Sequence, residues 1–225
     1  MKKKLMIFDA YGTLISTGTG SLDAAKKILS LQEKDIDTKQ FYDDWKYFHR
    51  LHCDGANQNI FVTEEEIFRM DLKKLYDKYG IQRDHMEDVK IMLESLYNRV
   101  AFSEVKETID ALRKSYRVVI GSTTDTMPLM SNLQSNNLCL DAVYTSEMIK
   151  KYKPDEGFYH YILERENCAA EDAVFIGDSL TDDVRGPQGI GIETVFVNRK
   201  AQGCKDVKPD FIISDLSDLI NIYDV

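Results

Sequence analysis

Four short, almost wholly apolar stretches each run directly into a cluster of small or polar residues. Leu5-Met6-Ile7-Phe8 stops at Asp9. Val118-Val119-Ile120, within 117–121, gives way to Ser122-Thr123-Thr124-Asp125. Ala173-Val174-Phe175-Ile176 leads into Gly177-Asp178-Ser179, and Thr194-Val195-Phe196-Val197 into Asn198-Arg199. Runs of this kind predict strands buried on both faces, as in a parallel sheet. Two weaker runs, 142–144 and 211–213, add edge candidates. Between them the apolar period lengthens to that of a helix: Val105, Ile109 and Leu112 share one face of 105–114, and 128–136, 158–166 and 216–223 read similarly. Strands alternating with helices predict βαβ units. Ligands in such sheets bind beyond the carboxyl ends of the strands, where the polar clusters fall.

Residues 17–99 break the alternation. Helical patterning covers 22–30, 38–52, 63–79 and 85–98, and Thr63-Glu64-Glu65-Glu66 has the form of a capping box. The predicted fold class is therefore α/β: a Rossmann-like doubly wound parallel sheet core with an inserted all-helical cap domain. Residues 1–16 and 100–225 form the core and 17–99 the cap. Residues 16–20 and 100–103 are the expected hinges, and substrate choice is expected to lie with the cap, where Trp45, Tyr47, Phe48, Arg50 and His52 face either the cleft or the cap's own core.

Composition narrows the function classes. The 225 residues are 43% hydrophobic, enough for a real core, and carry a formal net charge of -9. An acidic chain lacks the positive field that nucleic-acid or acidic-membrane binding requires. Cys53, Cys139, Cys168 and Cys204 are scattered, without CxxC spacing, so reduced thiols are expected. The apolar run after Met1-Lys2-Lys3-Lys4 is interrupted at Asp9, too early for a signal core or membrane span. A cytoplasmic protein is expected, as monomer or dimer.

The clusters suggest chemistry. Asp9, on a Gly12-Thr13 turn at a strand tip, is placed as a nucleophile or metal ligand, or as a turn-stabilising residue. Asp178, Asp182 and Asp183 crowd negative charge that a hard cation such as Mg²⁺ would offset; a helix start would also favour acids there. Lys153, followed by Pro154, can reach back over the strand tips to neutralise a carboxylate and a phosphate oxygen, although Lys150 and Lys151 make a solvated run possible on spacing alone. Ser122 can hold a phosphoryl oxygen or cap a helix. Gly186-Pro187-Gln188-Gly189-Ile190-Gly191 imitates a dinucleotide fingerprint but does not directly follow a strand, and Pro187 lacks a backbone donor. His49, His52 and Cys53 do not make up a zinc site and read as surface or packing residues.

In order, these clusters resemble the four motifs of the haloacid dehalogenase superfamily: Asp9 to Thr13, Ser122, Lys153 in Tyr152-Lys153-Pro154-Asp155, and Gly177-Asp178-Ser179 with Asp183. The helical insert between the first two is similar to that family's C1 cap. The resemblance implies a hydrolase in which Asp9 attacks phosphorus to give an aspartyl-phosphate that water then hydrolyses. It implies Mg²⁺ held by Asp9, the Tyr11 backbone carbonyl and Asp178, with Asp183 orienting that shell. Asp9, Tyr11, Ser122 and Lys153 become the catalytic candidates, and Thr13, Ser122, Thr123 and Lys153 the contacts to a small phosphorylated substrate. One position departs from the pattern. Most phosphatases of the family carry a second Asp where this chain has Tyr11, and a phenol of ordinary pKa about 10 is a poor base. Phe8-Asp9-Ala10-Tyr11-Gly12-Thr13-Leu14, with Tyr159, is similar to the metal-independent 2-haloacid dehalogenase branch. That branch has a Ser-Asn pattern where this chain has Gly177-Asp178, and an early-cap arginine that has no clear match among Trp45, Lys46 and Arg50. Three readings follow: a Mg²⁺-dependent phosphatase, which is the expectation; a 2-haloacid dehalogenase-like hydrolase; and a catalytically weak metal- and phosphate-binding module.

Overall fold

β1 (Leu5–Phe8) lies at the centre of a six-stranded, wholly parallel sheet in a computed structural model of the chain. Residues 3–204 and 206–225 are described; Met1 and Lys2, where the basic N-terminal run begins, lie outside them. The other strands are β2 (Arg117–Ser122), β3 (Ala142–Thr145), β4 (Ala173–Gly177), β5 (Glu193–Val197) and β6 (Phe211–Ile213), in the order β3-β2-β1-β4-β5-β6. The direction of winding reverses between β1 and β4. In an open α/β sheet that reversal opens a crevice at the carboxyl ends.

The chain divides into two compact units, Met1–Ser16 with Val100–Val225, and Thr17–Arg99. In the first, strand residues alternate between two apolar layers. Met6, Phe8, Val118, Ile120, Val174 and Ile176 face one side, packed with α5 (Val105–Leu112), α6 (Thr126–Ser135) and α10 (Asp218–Ile222). Leu5, Ile7, Val119 and Phe175 face the other, against Phe158, Tyr159 and Ile162 of α8 (Glu156–Arg165). Both faces are covered, which is why the strands read as continuous apolar runs rather than alternating ones. Each large side chain buried this way contributes about 1.5–3 kcal/mol. Two short helical segments, α7 (Ser146–Ile149) and α9 (Gly186–Gly189), complete this unit; the glycine-rich imitation of a dinucleotide fingerprint is α9 and the turn after it.

The second unit consists of α1 (Gly20–Ser30), α2 (Thr38–Gln58), α3 (Glu64–Tyr79) and α4 (His85–Glu94) around Ile28, Phe41, Trp45, Leu72 and Leu75. Thr63 caps α3 through its hydroxyl, and Asp37 and Asp84 cap α2 and α4. α2 outruns its predicted end because Cys53 and Ala56 continue its buried face. α4 stops short of 98: single-turn bonds from Ser95, Leu96 and Tyr97 tighten its end, and Asn98 turns at φ 58°. Trp45 belongs to this unit's core, and His52 bonds Asp71 within it, 2.5 Å away. No described helix is long and apolar enough to cross a membrane.

Candidate active site

Parallel pairing sets the positions of the polar tips. Phe8 is level with Ile120 and Ile176, so Asp9 emerges beside Gly121 and Gly177, with Ser122 and Asp178 one step further on. The Asp9 amide continues the ladder to the Ile176 carbonyl at 2.9 Å, fixing the nucleophile candidate against β4. The chain then turns at Gly12, whose φ of 97° suits glycine, and a Cβ there would collide with the Asp178 carboxylate. Gly177 likewise leaves room for Asp183.

Lys153 arrives from the loop before α8 and is 2% exposed. Its ammonium donates to Asp9 Oδ1 at 2.8 Å and to Asp183 Oδ1 at 2.6 Å, and lies 5.1 Å from the centre of the Phe175 ring. Lys151 instead pairs with Asp155, and Lys150 ends α7. The second oxygen of Asp183 accepts from the Ser179 amide at 2.9 Å, so this carboxylate is held from two sides. One oxygen from each of Asp9, Asp178 and Asp183 lies within 4.8 Å of the others, the one such group of three metal-binding side chains among the described residues.

The charges do not balance. Three carboxylates meet one buried ammonium, which leaves a surplus of two negative charges that a divalent cation would neutralise. The carboxyls register that surplus. Burial, then the like charge of Asp9, pushes Asp178 up to about 6, with Lys153 and Lys200 pulling it back. Burial also pushes Asp183 upward against the pull of Lys153. Burial opposes the charge on Lys153, but Asp183 and Asp9 outweigh it and raise that ammonium's pKa. Oxygen ligands, a compact cluster and unmet negative charge fit Mg²⁺, which carboxylates of this cluster such as Asp9 and Asp178 could hold.

Ser122 is buried at the tip of β2, Thr123 is half-buried, and Thr13 is fully buried with its hydroxyl lacking a hydrogen-bond partner. Such an orphan is costly unless a ligand completes it. Tyr11 packs against the core layer of α5 and α6, and its hydroxyl accepts from Asn132 Nδ2 at 2.9 Å. Tyr159 is buried behind the site, where its hydroxyl donates to the Asp182 carbonyl at 2.5 Å and braces the π-helical turn Leu180–Arg185 that carries Asp183.

Sequence reasoning missed three contributors. Asn132 lies far from Tyr11 in the chain and carries no local signal. Gln202 and Arg199, from the loop after β5, reach the Asp178 and Thr13 carbonyls at 3.4 and 3.0 Å. Of this loop only the polarity of Asn198-Arg199 after a strand was a cue.

Residues 6–197 match the family of haloacid dehalogenase-like hydrolases. The pyrophosphatase PpaX of Bacillus velezensis is 29% identical, covering 80% of this chain and 87% of its own. The (S)-2-haloacid dehalogenase 4A of Burkholderia cepacia is 24% identical over 96% of this chain and 89% of its own. Among solved structures, the HAD-hydrolase YfnB of Bacillus subtilis, bound to magnesium, superposes with a TM-score of 0.84 at 19% identity and covers both chains in full.

Proposed function

The chain belongs to the haloacid dehalogenase-like hydrolases, and within that family we propose that it is a Mg²⁺-dependent phosphatase acting on a small phosphorylated metabolite. The clustering of Asp9, Asp178 and Asp183 with a single buried ammonium, bonded to Asp9 and Asp183, carries this reading, because the site is left two charges short of neutral. Bound Mg²⁺ would supply the positive charge that phosphoryl oxygens need. Asp9 attacks phosphorus: the Asp9–phosphorus bond forms as the bond to the leaving oxygen breaks. Lys153 and Ser122 hold the phosphoryl oxygens, and the orphaned Thr13 hydroxyl has a partner once substrate is bound. Water then attacks the aspartyl-phosphate, releasing phosphate and free Asp9. The helical unit takes the part of the substrate-selecting cap.

Turnover of p-nitrophenyl phosphate and of a phosphometabolite panel, with Mg²⁺ and with chelator, tests the reading. Activity lost in chelator and restored by Mg²⁺ is expected, and Asp9→Asn lowers it by about 10³-fold or more, as for loss of a covalent nucleophile. Tyr11 supports a second reading, a 2-haloacid dehalogenase: no acid stands at its position, and its phenol is engaged by Asn132. Chloride release from 2-chloropropionate that ignores chelator favours that reading instead. Metal binding without turnover on any of these compounds marks the weak binding module. On the phosphatase reading, Tyr11→Asp restores an acid–base group, worth about 10²-fold at the low end of such contributions, and raises turnover. A fall in turnover assigns Tyr11 a positive role.

A further inference from the structure

The loop after β5 is built across the two turns that carry the site's carboxylates. Asn198 and Gln202 close it reciprocally: Asn198 Nδ2 donates to the Gln202 carbonyl at 2.9 Å, and the Gln202 amide donates to Asn198 Oδ1 at 2.8 Å. Asn198 N anchors it to the Ile213 carbonyl on β6 at 2.7 Å. Between these ties Ala201 adopts φ 50°, so the chain folds back sharply. Two side chains then pin the loop to the site. Arg199 donates to the Thr13 carbonyl in the nucleophile turn, and Gln202 to the Asp178 carbonyl in the second acidic turn.

Lys200 stands between those two anchors. Arg199 has spent its charge on Glu104, 2.5 Å away, and stacks over Phe102. Lys153 is committed to Asp9 and Asp183. Lys200 is exposed and has no hydrogen bond or ion pair among the described residues, yet its charge acts on Asp178. An exposed side chain on a pinned loop is an uncommitted cation beside an acidic site, in a chain of net charge -9. On the phosphatase reading the transferred phosphoryl oxygens already have hydrogen-bonding partners in Lys153, Ser122 and the orphaned Thr13 hydroxyl. The part of a substrate still lacking a partner is its leaving group.

We propose that Lys200 is a specificity residue that receives a second anionic group, a carboxylate or phosphate on the leaving side, so that the substrates are phosphate esters or anhydrides whose leaving group is itself charged. The inference rests on the phosphatase reading. An ammonium held this way forms one charge-assisted hydrogen bond with an anion, worth about tenfold in affinity when partly exposed to water. Screening weakens it as salt rises.

Calorimetric binding of phosphonoacetate and of propylphosphonate, in saturating Mg²⁺, tests it without turnover. The full-length wild-type chain is expected to prefer phosphonoacetate by about tenfold. Lys200→Ala brings that preference close to one by weakening phosphonoacetate alone, and Lys200→Arg retains most of it. High salt reduces the preference in the wild type and leaves Lys200→Ala unmoved. Equal affinities in the wild type, or a preference that survives Lys200→Ala, overturns the assignment of Lys200 while leaving the phosphatase reading standing. Binding of neither phosphonate overturns both.

Discussion

Each unit of this protein buries carboxylates, and the two units meet that charge differently. In the helical unit Asp71 is fully buried and accepts from two imidazoles, His49 Nδ1 at 2.8 Å and His52 Nδ1 at 2.5 Å. One carboxylate has two imidazole partners, and it holds the His49 ring's pKa above its ordinary value. In the sheet unit, three carboxylates cluster around one buried lysine, which pairs with only two of them, Asp9 and Asp183. The first arrangement is complete from the chain's own residues. The second is incomplete by two charges, and incompleteness is what a binding site looks like before its ligand arrives. A buried acid is therefore informative only with its counter-charges tallied. His49, His52 and Cys53 attract notice as possible metal ligands in the sequence, yet they are the compensated set.

Removing the carboxylate from each set separates the two cases most sharply. Asp71→Ala takes away the acceptor that two half-buried imidazoles share, leaving His49 with Cys53 alone. It is expected to cost about 3 kcal/mol, the range for breaking a buried pair, measured by urea denaturation, with hydrolase turnover in the surviving folded fraction retained. A loss under 1 kcal/mol would mean that the histidines rehydrate freely and that Asp71 is no keystone of α2 and α3.

In the sheet unit the same kind of removal should stabilise the metal-free protein. Asp178 holds its proton to about 6 in the folded chain, against an ordinary value of 3.8. Over that window the native state binds more protons than the unfolded state, so the contribution of Asp178 to stability falls as pH climbs from about 4 to about 6. Asp178→Asn removes this penalty. In chelator at pH 7 the variant is expected to be more stable than wild type by up to about 3 kcal/mol, with the gap closing toward pH 4. Mg²⁺ reverses the order, because only the wild type gains from the cation. An unchanged melting temperature in chelator at both pH values would show that the surplus charge is already met by solvent.

The sheet was legible because its strands are buried on both faces and so leave uninterrupted apolar runs, each ending where the topology exposes a tip. Even the weak edge candidates at Ala142–Thr145 and Phe211–Ile213 were marked by such runs. Helix ends were less legible. α2 continues to Gln58 on the strength of contacts made by Cys53 and Ala56, and α6 begins at Thr126 because Pro128 fits in a first helical turn. The convergence of Asp9, Lys153 and Asp183 depends on chain segments far apart in sequence, and order along the chain was the only cue to it. The engagement of Tyr11 by Asn132, the brace from Tyr159 to Asp182 and the pinned loop around Lys200 are tertiary contacts between polar residues that follow no period. Nothing local distinguishes such residues from solvated ones.

The smallest effect expected concerns the proton shared in the helical unit. Burial works against a charged His49, but Asp71, and after it Cys53, outweigh it and hold the imidazole's pKa well above its ordinary 6.5. A raised histidine stabilises the fold fully below the unfolded value and loses that contribution as pH rises through the folded one. His49→Gln keeps a donor for Asp71 but cannot carry the proton, and His52 still bonds the other oxygen, so the loss should be smaller than for Asp71→Ala. The difference in unfolding free energy between wild type and His49→Gln is expected to be constant near pH 6 and to shrink steadily above it. A difference that stays flat from pH 6 to 10 would show that no proton on His49 is linked to folding, and that this ring serves Asp71 only as a hydrogen-bond donor.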